Sequence, residues 1–327
     1  MKRLASGLSA IACLVCGISQ AASVDIHKEK ELLIKGYPNE QRAAMVKLVG
    51  AGKEGTIALC DVLEAERDAG AKSRAATALQ ENIKRRGAVD DETLGRLERM
   101  TQNPDGQAAG LSAMAVMQLR GNVRARSILR RAAQKQESDQ IRAQILGALV
   151  ANVDGDKSEV PFVAGFLKDK SEYVQVSAAG YLGALGDKRG TALCKAILER
   201  RPSDDATRML QMRAAIAAGR IGDSKLIPLL QKIAASNDYG LAQWQARTAI
   251  REIELKGLAL EAERLEYLKR ALAAKDSVRW AVQQLVAIGT PAAYGALSWA
   301  AKEKGLAGAE EANQALAGIE ADERARQ

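Results

Sequence analysis

The stretch that decides the fold is "VQVSAAGYLGALGDKRGTALCKAIL", residues 174–198. Its apolar residues recur with a helical period, yet many of them are Ala and Gly, which bury little surface. A second copy, "LQMRAAIAAGRIGDSKLIPLLQKIA", occupies residues 210–234. Small side chains allow helix axes to come toward the lower end of the usual separation of about 8–10 Å. The pattern therefore predicts helices that are repeated along the chain and closely packed on one another.

The small-residue helix recurs along most of the sequence. Copies begin at residues 42, 74, 111, 142, 177, 213, 247, 280 and 311, so the spacing varies from 31 to 37 residues. A fixed period of this length with small variations in loop length is typical of repeat architectures. The chain is therefore predicted to consist of repeats, although its length alone would suggest two ordinary domains.

A second helix lies between successive small-residue helices. In "DSKLIPLLQKIAASN" the residues Leu226, Leu229, Leu230 and Ile233 follow the i, i+3, i+4, i+7 spacing of one helical face. A Gly-Asp pair precedes this helix, and it predicts a left-handed helix end followed by an N-cap. Proline is tolerated in the first turn of a helix. Three prolines fit that position in helices of this second type: Pro161, Pro228 and Pro291.

Residues 174–198 and 210–234 resemble HEAT repeats, especially the short subtype named after phycobilisome lyases. The resemblance implies an all-α fold, an armadillo-like superhelix or α-solenoid of about eight stacked antiparallel helix pairs over residues 38–319. Residues 23–37 are then expected to form a capping helix, and residues 320–327 a polar C-terminal tail. Each repeat in such a stack buries its apolar face on its neighbours.

The resemblance also implies a structural ladder of Asp and Arg residues along the stack. Arginines recur near the start of the small-residue helices, often a few residues after an acid such as Asp139 or Asp276. A ligand groove lined with arginine is the alternative. The arginines in question are Arg42, Arg74, Arg142, Arg213, Arg247 and Arg279.

The N-terminus, "MKRLASGLSAIACLVCGISQAAS", has two cations, an apolar run and small residues at its end. These features predict a secretory signal peptide over residues 1–22, cleaved near Ala21 or Ala22, and a periplasmic or secreted product. The run is too short for a transmembrane helix. The 327-residue chain carries a net charge of +8, and loss of Lys2 and Arg3 with the signal peptide would still leave the product basic. It keeps Cys60 and Cys194, which lie several repeats apart and are expected to be two buried thiols.

Residues suited to catalysis are scarce. His27 is the single histidine of the sequence, so a His-rich zinc site cannot form. The glycines at 180, 183 and 186 fall within a helix pattern, which favours close helix packing over phosphate binding. "NVDGDKSE" resembles the start of a calcium loop, but Lys157 occupies the position of the required glycine, so helix capping is favoured. No catalytic, cofactor-binding or metal-binding residue is predicted.

Two sets of residues are candidates for binding a partner. The run "RGNVRARSILRRAAQK" contains no acid, so it is either a solvated helix face or a surface for an acidic protein, an anionic envelope polymer or lipid head groups. The expected export and the lack of stacking aromatics in this run argue against nucleic acid. All three tryptophans lie in the last third of the chain, either as binding hot spots or as core residues. The candidate residues are Arg120, Arg124, Arg126, Arg130, Arg131, Lys135, Trp244, Trp280 and Trp299.

These features together predict an exported, non-catalytic scaffold or adaptor of a bacterial-type cell envelope that binds unidentified protein partners. Fold does not by itself specify function, so two alternatives stay open. One is a binder of anionic polymer or lipid that uses the basic run. The other is a lyase-like protein that handles a chromophore.

Overall fold

The computed structural model describes residues 24–153, 155–236 and 240–324, and these residues form an all-α structure. The signal peptide predicted for residues 1–22 lies outside the described residues. The chain divides into two compact units, of which the first ends at Leu229 and the second begins at Leu230. No helix in the described ranges is long and apolar enough to cross a membrane.

The helices of the first unit have the following bounds: α1 Ile26–Lys35, α2 Pro38–Gly50, α3 Gly52–Ala65, α4 Ala69–Arg86, α5 Asp91–Thr101, α6 Gly106–Met117, α7 Val123–Lys135, α8 Asp139–Asn152, α9 Val160–Gly165, α10 Glu172–Ala184, α11 Thr191–Leu198 and α12 Asp205–Ile221. Helix α13, Ile227–Ala235, contains the boundary between the units. The second unit continues with α14 Gly240–Gly257, α15 Glu261–Ala273, α16 Val278–Ile288, α17 Pro291–Lys302 and α18 Ala309–Arg324.

The even-numbered helices are the small-residue helices predicted from the sequence. In the first unit each of them packs on the next one, from α2 on α4 through to α10 on α12. The odd-numbered helices form a second layer, in which α1 packs on α3, α3 on α5 and α5 on α7. In the second unit α15 packs on α17 and α16 on α18. This sequential pairing of helices confirms the predicted α-solenoid fold.

The described residues contain 18 α-helices. Helix α1, predicted as a cap, packs on both α2 and α3 and buries Leu33 completely. The segment predicted as a polar tail from residue 320 continues α18 as far as Arg324. The chain therefore keeps its helical alternation to the end of the described region.

Glycines allow the closest approach between small-residue helices. A Cβ atom added at Gly183 of α10 would lie 2.5 Å from the backbone nitrogen of Ile221 on α12, and one at Gly180 would lie 3.2 Å from the Cα of Ala217. Gly186 follows α10 with a φ of +81°, a conformation that favours glycine. The glycines at 180, 183 and 186 therefore serve helix packing and helix termination, as the sequence predicts.

Capping residues define many helix ends. The carboxylate of Asp223 accepts from the backbone N–H of Lys225, and that of Asp156 accepts from Ser158. These contacts confirm the predicted capping roles, although Asp154 lies outside the described residues. Each of the three prolines singled out in the sequence lies in the first turn of its helix: Pro161 in α9, Pro228 in α13 and Pro291 in α17.

Each unit has a core of its own. One core cluster of the first unit extends from Leu33 to Leu185, and one of the second unit extends from Leu255 to Ala312. Much of both cores is Ala, Leu, Ile and Val from successive helices. A core that is continuous along the sequence is what stacked repeats produce, since each helix pair buries its apolar face on the next.

Cys60 and Cys194 are both free and fully buried, as predicted. Burial raises the pKa of each thiol to about 12, because the thiolate would lose its hydration. The thiolate is the reactive species, so iodoacetamide at mildly alkaline pH is expected to leave both residues unmodified in the native protein. Peptide mapping after alkylation, with and without guanidinium chloride, checks this prediction. Rapid modification of either residue without denaturant would contradict the packing described above.

Candidate partner-binding surfaces

Most of the basic run forms α7, whereas Arg120 lies in the turn before it. Acidic residues of α5 form ion pairs with α7. Arg124 lies 2.5 Å from a carboxylate oxygen of Asp91, and Arg131 lies 2.5 Å from one of Glu98. Both acids belong to α5, the neighbour of α7 in the odd-numbered layer. The run therefore contacts negative charge from the preceding repeat.

On its other side α7 meets the acids that precede α9. Arg126 lies 3.1 Å from Asp156, and Arg130 lies 3.6 Å from Glu159. The Glu159 side chain is only 2% exposed. The Arg130 guanidinium also lies over the ring of Phe162, 4.7 Å from its centroid. These arginines therefore neutralise a buried carboxylate and join neighbouring repeats.

Replacement of Arg126, Arg130 and Arg131 by Glu is expected to lower the free energy of unfolding by about 3–5 kcal/mol, because it leaves Glu159 buried without a counter-ion. Urea unfolding followed by circular dichroism measures this change. A matched triple reversal at the exposed residues Arg99, Lys168 and Lys188 is expected to cost about 1 kcal/mol or less. Equal stability of the two variants would show that α7 is a solvated basic face after all.

The three tryptophans occupy different environments. Trp280 is 6% exposed and packs edge-to-face against Tyr267, with 6.2 Å between ring centroids, so it is a core residue of the second unit and is not presented to a partner. Trp244 and Trp299 are 47% and 41% exposed. Leu241 lies one turn before Trp244 on α14 and is also exposed. Trp244 and Trp299 therefore remain candidates for binding a partner, whereas the prediction for Trp280 is corrected to a core role.

The arginines at the starts of the small-residue helices also differ in their burial and in their hydrogen-bond partners. The Arg142 side chain is buried, donates to both carboxylate oxygens of Asp169 at 3.0 Å, and reaches Asp139 at 2.6 Å. Arg74 donates to the carbonyl oxygens of Leu33 and Ile34. These two positions agree with the structural ladder that the resemblance implies. Arg42, Arg247 and Arg279 are exposed, and Asp276 pairs with Arg251.

A further surface, which sequence reasoning missed, lies across α10 and α12. The Arg213 guanidinium stacks 3.7 Å from the centroid of the Tyr173 ring, and Arg220 lies 5.5 Å from that of Tyr181. The four side chains therefore alternate between two adjacent small-residue helices. Met209 and Ile216 lie on the same stripe of α12 as the two arginines, at helical spacing. We call this surface the Tyr–Arg face: Tyr173, Tyr181, Met209, Arg213, Ile216 and Arg220.

Glycines beneath the Tyr–Arg face allow its long side chains to lie flat. The Tyr181 hydroxyl would be 2.5 Å from a Cβ atom at Gly147 of α8, and it donates to the carbonyl oxygen of Ala143 at 3.0 Å. The Arg220 side chain crosses Gly180 in the same way, with its Cδ 3.6 Å from the position of a Cβ. Each large side chain thus reaches back over a glycine of the preceding repeat and is held there.

The spacing of the tyrosines and arginines in the sequence is the signal that could have indicated this surface. Tyr173 and Tyr181 are eight residues apart, and Arg213 and Arg220 are seven apart, so each pair lies on one side of its helix. Which side of the helix stays exposed depends on how neighbouring repeats pack. The spacing alone could not show that the two pairs would meet.

A family model described as HEAT repeats matches residues 159–251, and no curated protein matches the chain. The matched segment contains both copies that define the repeat and all six residues of the Tyr–Arg face. The short lyase-like subtype stays a prediction. Together with the sequential packing of α10 on α12, the match assigns residues 159–251 to the HEAT repeat family.

Proposed function

We propose that this protein is an exported, non-catalytic HEAT-repeat scaffold that binds a partner protein along its layer of small-residue helices. HEAT-repeat proteins are generally scaffolds for protein interactions. The observation that carries the proposal is the Tyr–Arg face, a set of half-buried tyrosine and arginine side chains on two adjacent repeats, with Arg220 exposed. Tyr and Arg are over-represented among the residues that dominate binding energy at interfaces.

The proposed location in the cell envelope is supported by the sequence of the N-terminus, where Lys2 and Arg3 precede an apolar run and small residues. Mass spectrometry of the protein from the producing cells tests this part of the proposal. A chain that begins at residue 22 or 23 in the envelope fraction would support export. An intact chain that begins at Met1 in the cytosol would overturn it.

Site-specific photo-crosslinking tests the binding function. A photoreactive amino acid in place of Ser177, which lies on α10 between Tyr173 and Tyr181, should crosslink one protein partner in the envelope fraction. The matched control places the same group at Arg99, an exposed residue of α5 in the other layer. A partner crosslinked from position 177 and not from position 99 supports the proposal. The same products from both positions, or none from either, would contradict it.

The structure favours this function over binding of an anionic polymer or lipid by α7. Most cations of α7 contact acids or amides of neighbouring repeats, among them Arg124, Arg131 and Lys135 on the side of α5. Their charge is therefore largely balanced within the protein. An anionic ligand would have to compete with these contacts.

A further inference from the structure

We infer that a cleft between α3, α4 and α5 is a further binding site, which takes a small organic acid by its carboxylate. The cleft has a volume of about 410 Å³ and lies between the last turn of α4, the turn after it and the starts of α3 and α5. We call it the Arg86 cleft. Its volume falls within the range of about 300–1,000 Å³ that is usual for small-molecule sites. The inference does not depend on the proposed scaffold function.

Three buried polar side chains line the Arg86 cleft. Thr56, Asn82 and Thr93 are 3%, 1% and 1% exposed. Most buried residues of the first unit are Ala, Leu, Ile and Val, so three polar side chains around one space differ from the rest of the core. A small number of polar groups that converge on one space is typical of ligand sites.

Asn82 also has a structural role, which identifies a corresponding place two repeats further along the chain. The Asn82 amide donates to the carbonyl oxygen of Val49 at 3.1 Å, and the Asn152 amide donates to that of Leu119 at 2.7 Å. Each asparagine thereby satisfies a backbone oxygen near the end of the preceding small-residue helix. The surroundings of Asn152 are therefore the natural comparison for the cleft.

At the corresponding place a long side chain spans the space. Arg126 lies seventy residues after Thr56, which is the same separation as that between Asn82 and Asn152. The Arg126 guanidinium reaches the carboxylate of Asp156 at 3.1 Å. Threonine is too short to span a similar gap. The Arg86 cleft is therefore open where the later repeat is bridged by its own side chains.

The side chains that line the cleft carry a net positive charge. Lys53 and Asp90 both line it with their charged groups 3.9 Å apart, so these two charges offset one another. Glu92 lies 3.8 Å from Lys53 but does not line the cleft. Within the described parts of the chain, the exposed Arg86 guanidinium has neither an ion pair nor a hydrogen bond. Arg86 therefore gives the cleft one uncompensated positive charge.

A carboxylate attached to a short apolar group matches these side chains. The N–H groups of a guanidinium can bind both oxygens of a carboxylate at once. Ala88 and Val89, in the turn after α4, also line the cleft and offer apolar contacts to the rest of an acid. A polyanion fits less well, because it gains most of its affinity from a long track of cations.

Saturation-transfer difference NMR with the full chain tests this inference. The probes are the straight-chain carboxylates from propionate to hexanoate, each compared with its neutral amide. At least one acid is expected to receive saturation from the protein, and its amide is expected to bind more weakly. Arg86→Gln should weaken binding of that acid by about ten-fold or more, because a charge-assisted hydrogen bond is lost. Absence of a signal from every acid, or unchanged binding by Arg86→Gln, would overturn the inference.

Lys84→Gln is the matched control. Lys84 is an exposed cation in the last turn of α4, as Arg86 is, but it does not line the cleft. This variant loses the same charge and should bind the acid as the native chain does. Equal losses of affinity in the two variants would also refute the inference, because attraction by net charge would then explain the binding.

Ala88→Trp provides a second test, which keeps every cation. Ala88 is exposed in the turn between α4 and α5, so a larger side chain is expected to leave the fold intact, and circular dichroism checks this. The indole ring should block the cleft and remove the saturation-transfer signal. If this variant still bound the acid, the binding site would lie elsewhere and the inference would be wrong.

Discussion

Replacement of Gly183 by alanine is expected to lower the free energy of unfolding by about 2–3 kcal/mol. The added Cβ atom would lie 2.5 Å from the backbone nitrogen of Ile221 and 2.7 Å from the carbonyl carbon of Arg220. Backbone atoms cannot rotate away as a side chain can, so α10 and α12 would have to separate. Chemical unfolding followed by circular dichroism measures the change.

Gly95→Ala is the matched control within the same unit. Gly95 lies inside α5, and the nearest atom to an added Cβ is the end of the flexible Arg99 side chain, at 3.9 Å. Alanine is expected to raise stability there by about 0.5–1 kcal/mol, since glycine loses more backbone entropy on folding. If Gly183→Ala were as stable as Gly95→Ala, the close approach of α10 and α12 would be wrong.

Replacement of Arg142 by methionine is expected to lower the free energy of unfolding by about 3–5 kcal/mol, as is usual when one partner of a buried ion pair is removed. Its guanidinium donates to Asp169 and Asp139 and to the backbone carbonyl oxygens of Gln136 and Glu137. Methionine keeps much of the side-chain length and offers no donor. The Asp169 carboxylate, itself largely buried, would then lose its counter-ion.

Arg189→Met provides the comparison for this prediction. Arg189 pairs with Asp187 at 2.8 Å, but its side chain is 53% exposed, so water can replace the lost contacts. The expected loss is about 0–1 kcal/mol. Thermal and urea unfolding of both variants measure the difference. Similar losses of stability in the two variants would show that Arg142 contributes no more than a surface ion pair does. Arg142 would then not join successive repeats.

Both predictions concern the support of the Tyr–Arg face. Gly183 sets the separation of α10 and α12, which carry its six residues, and Arg142 of α8 holds the segment that leads into α10 through Asp169. A change at either position should therefore alter the spacing between the rings and the guanidinium groups. Variants that remain folded are expected to give less crosslinked partner from position 177 than the native chain does.

The sequence by itself determined the repeat, the helical alternation and the special role of its small residues. Gly180 and Gly183 were expected to allow close packing, and Gly186 and Gly222 to end helices, because these properties depend on residue type and on spacing within one or two turns. The same local reasoning placed three prolines in first helical turns. The α-solenoid followed, since a short repeat can bury its apolar face only on its neighbours.

Only the tertiary structure decided what the charged and aromatic side chains do. The cations of α7 form an isolated basic run in the sequence, yet Asp91, Glu98 and Glu159 reach them from neighbouring repeats. Trp280 became a core residue, and Tyr173 met Arg213 forty residues away along the chain. Side chains of this length contact residues of the next repeat, so their partners depend on helix packing that local spacing does not encode.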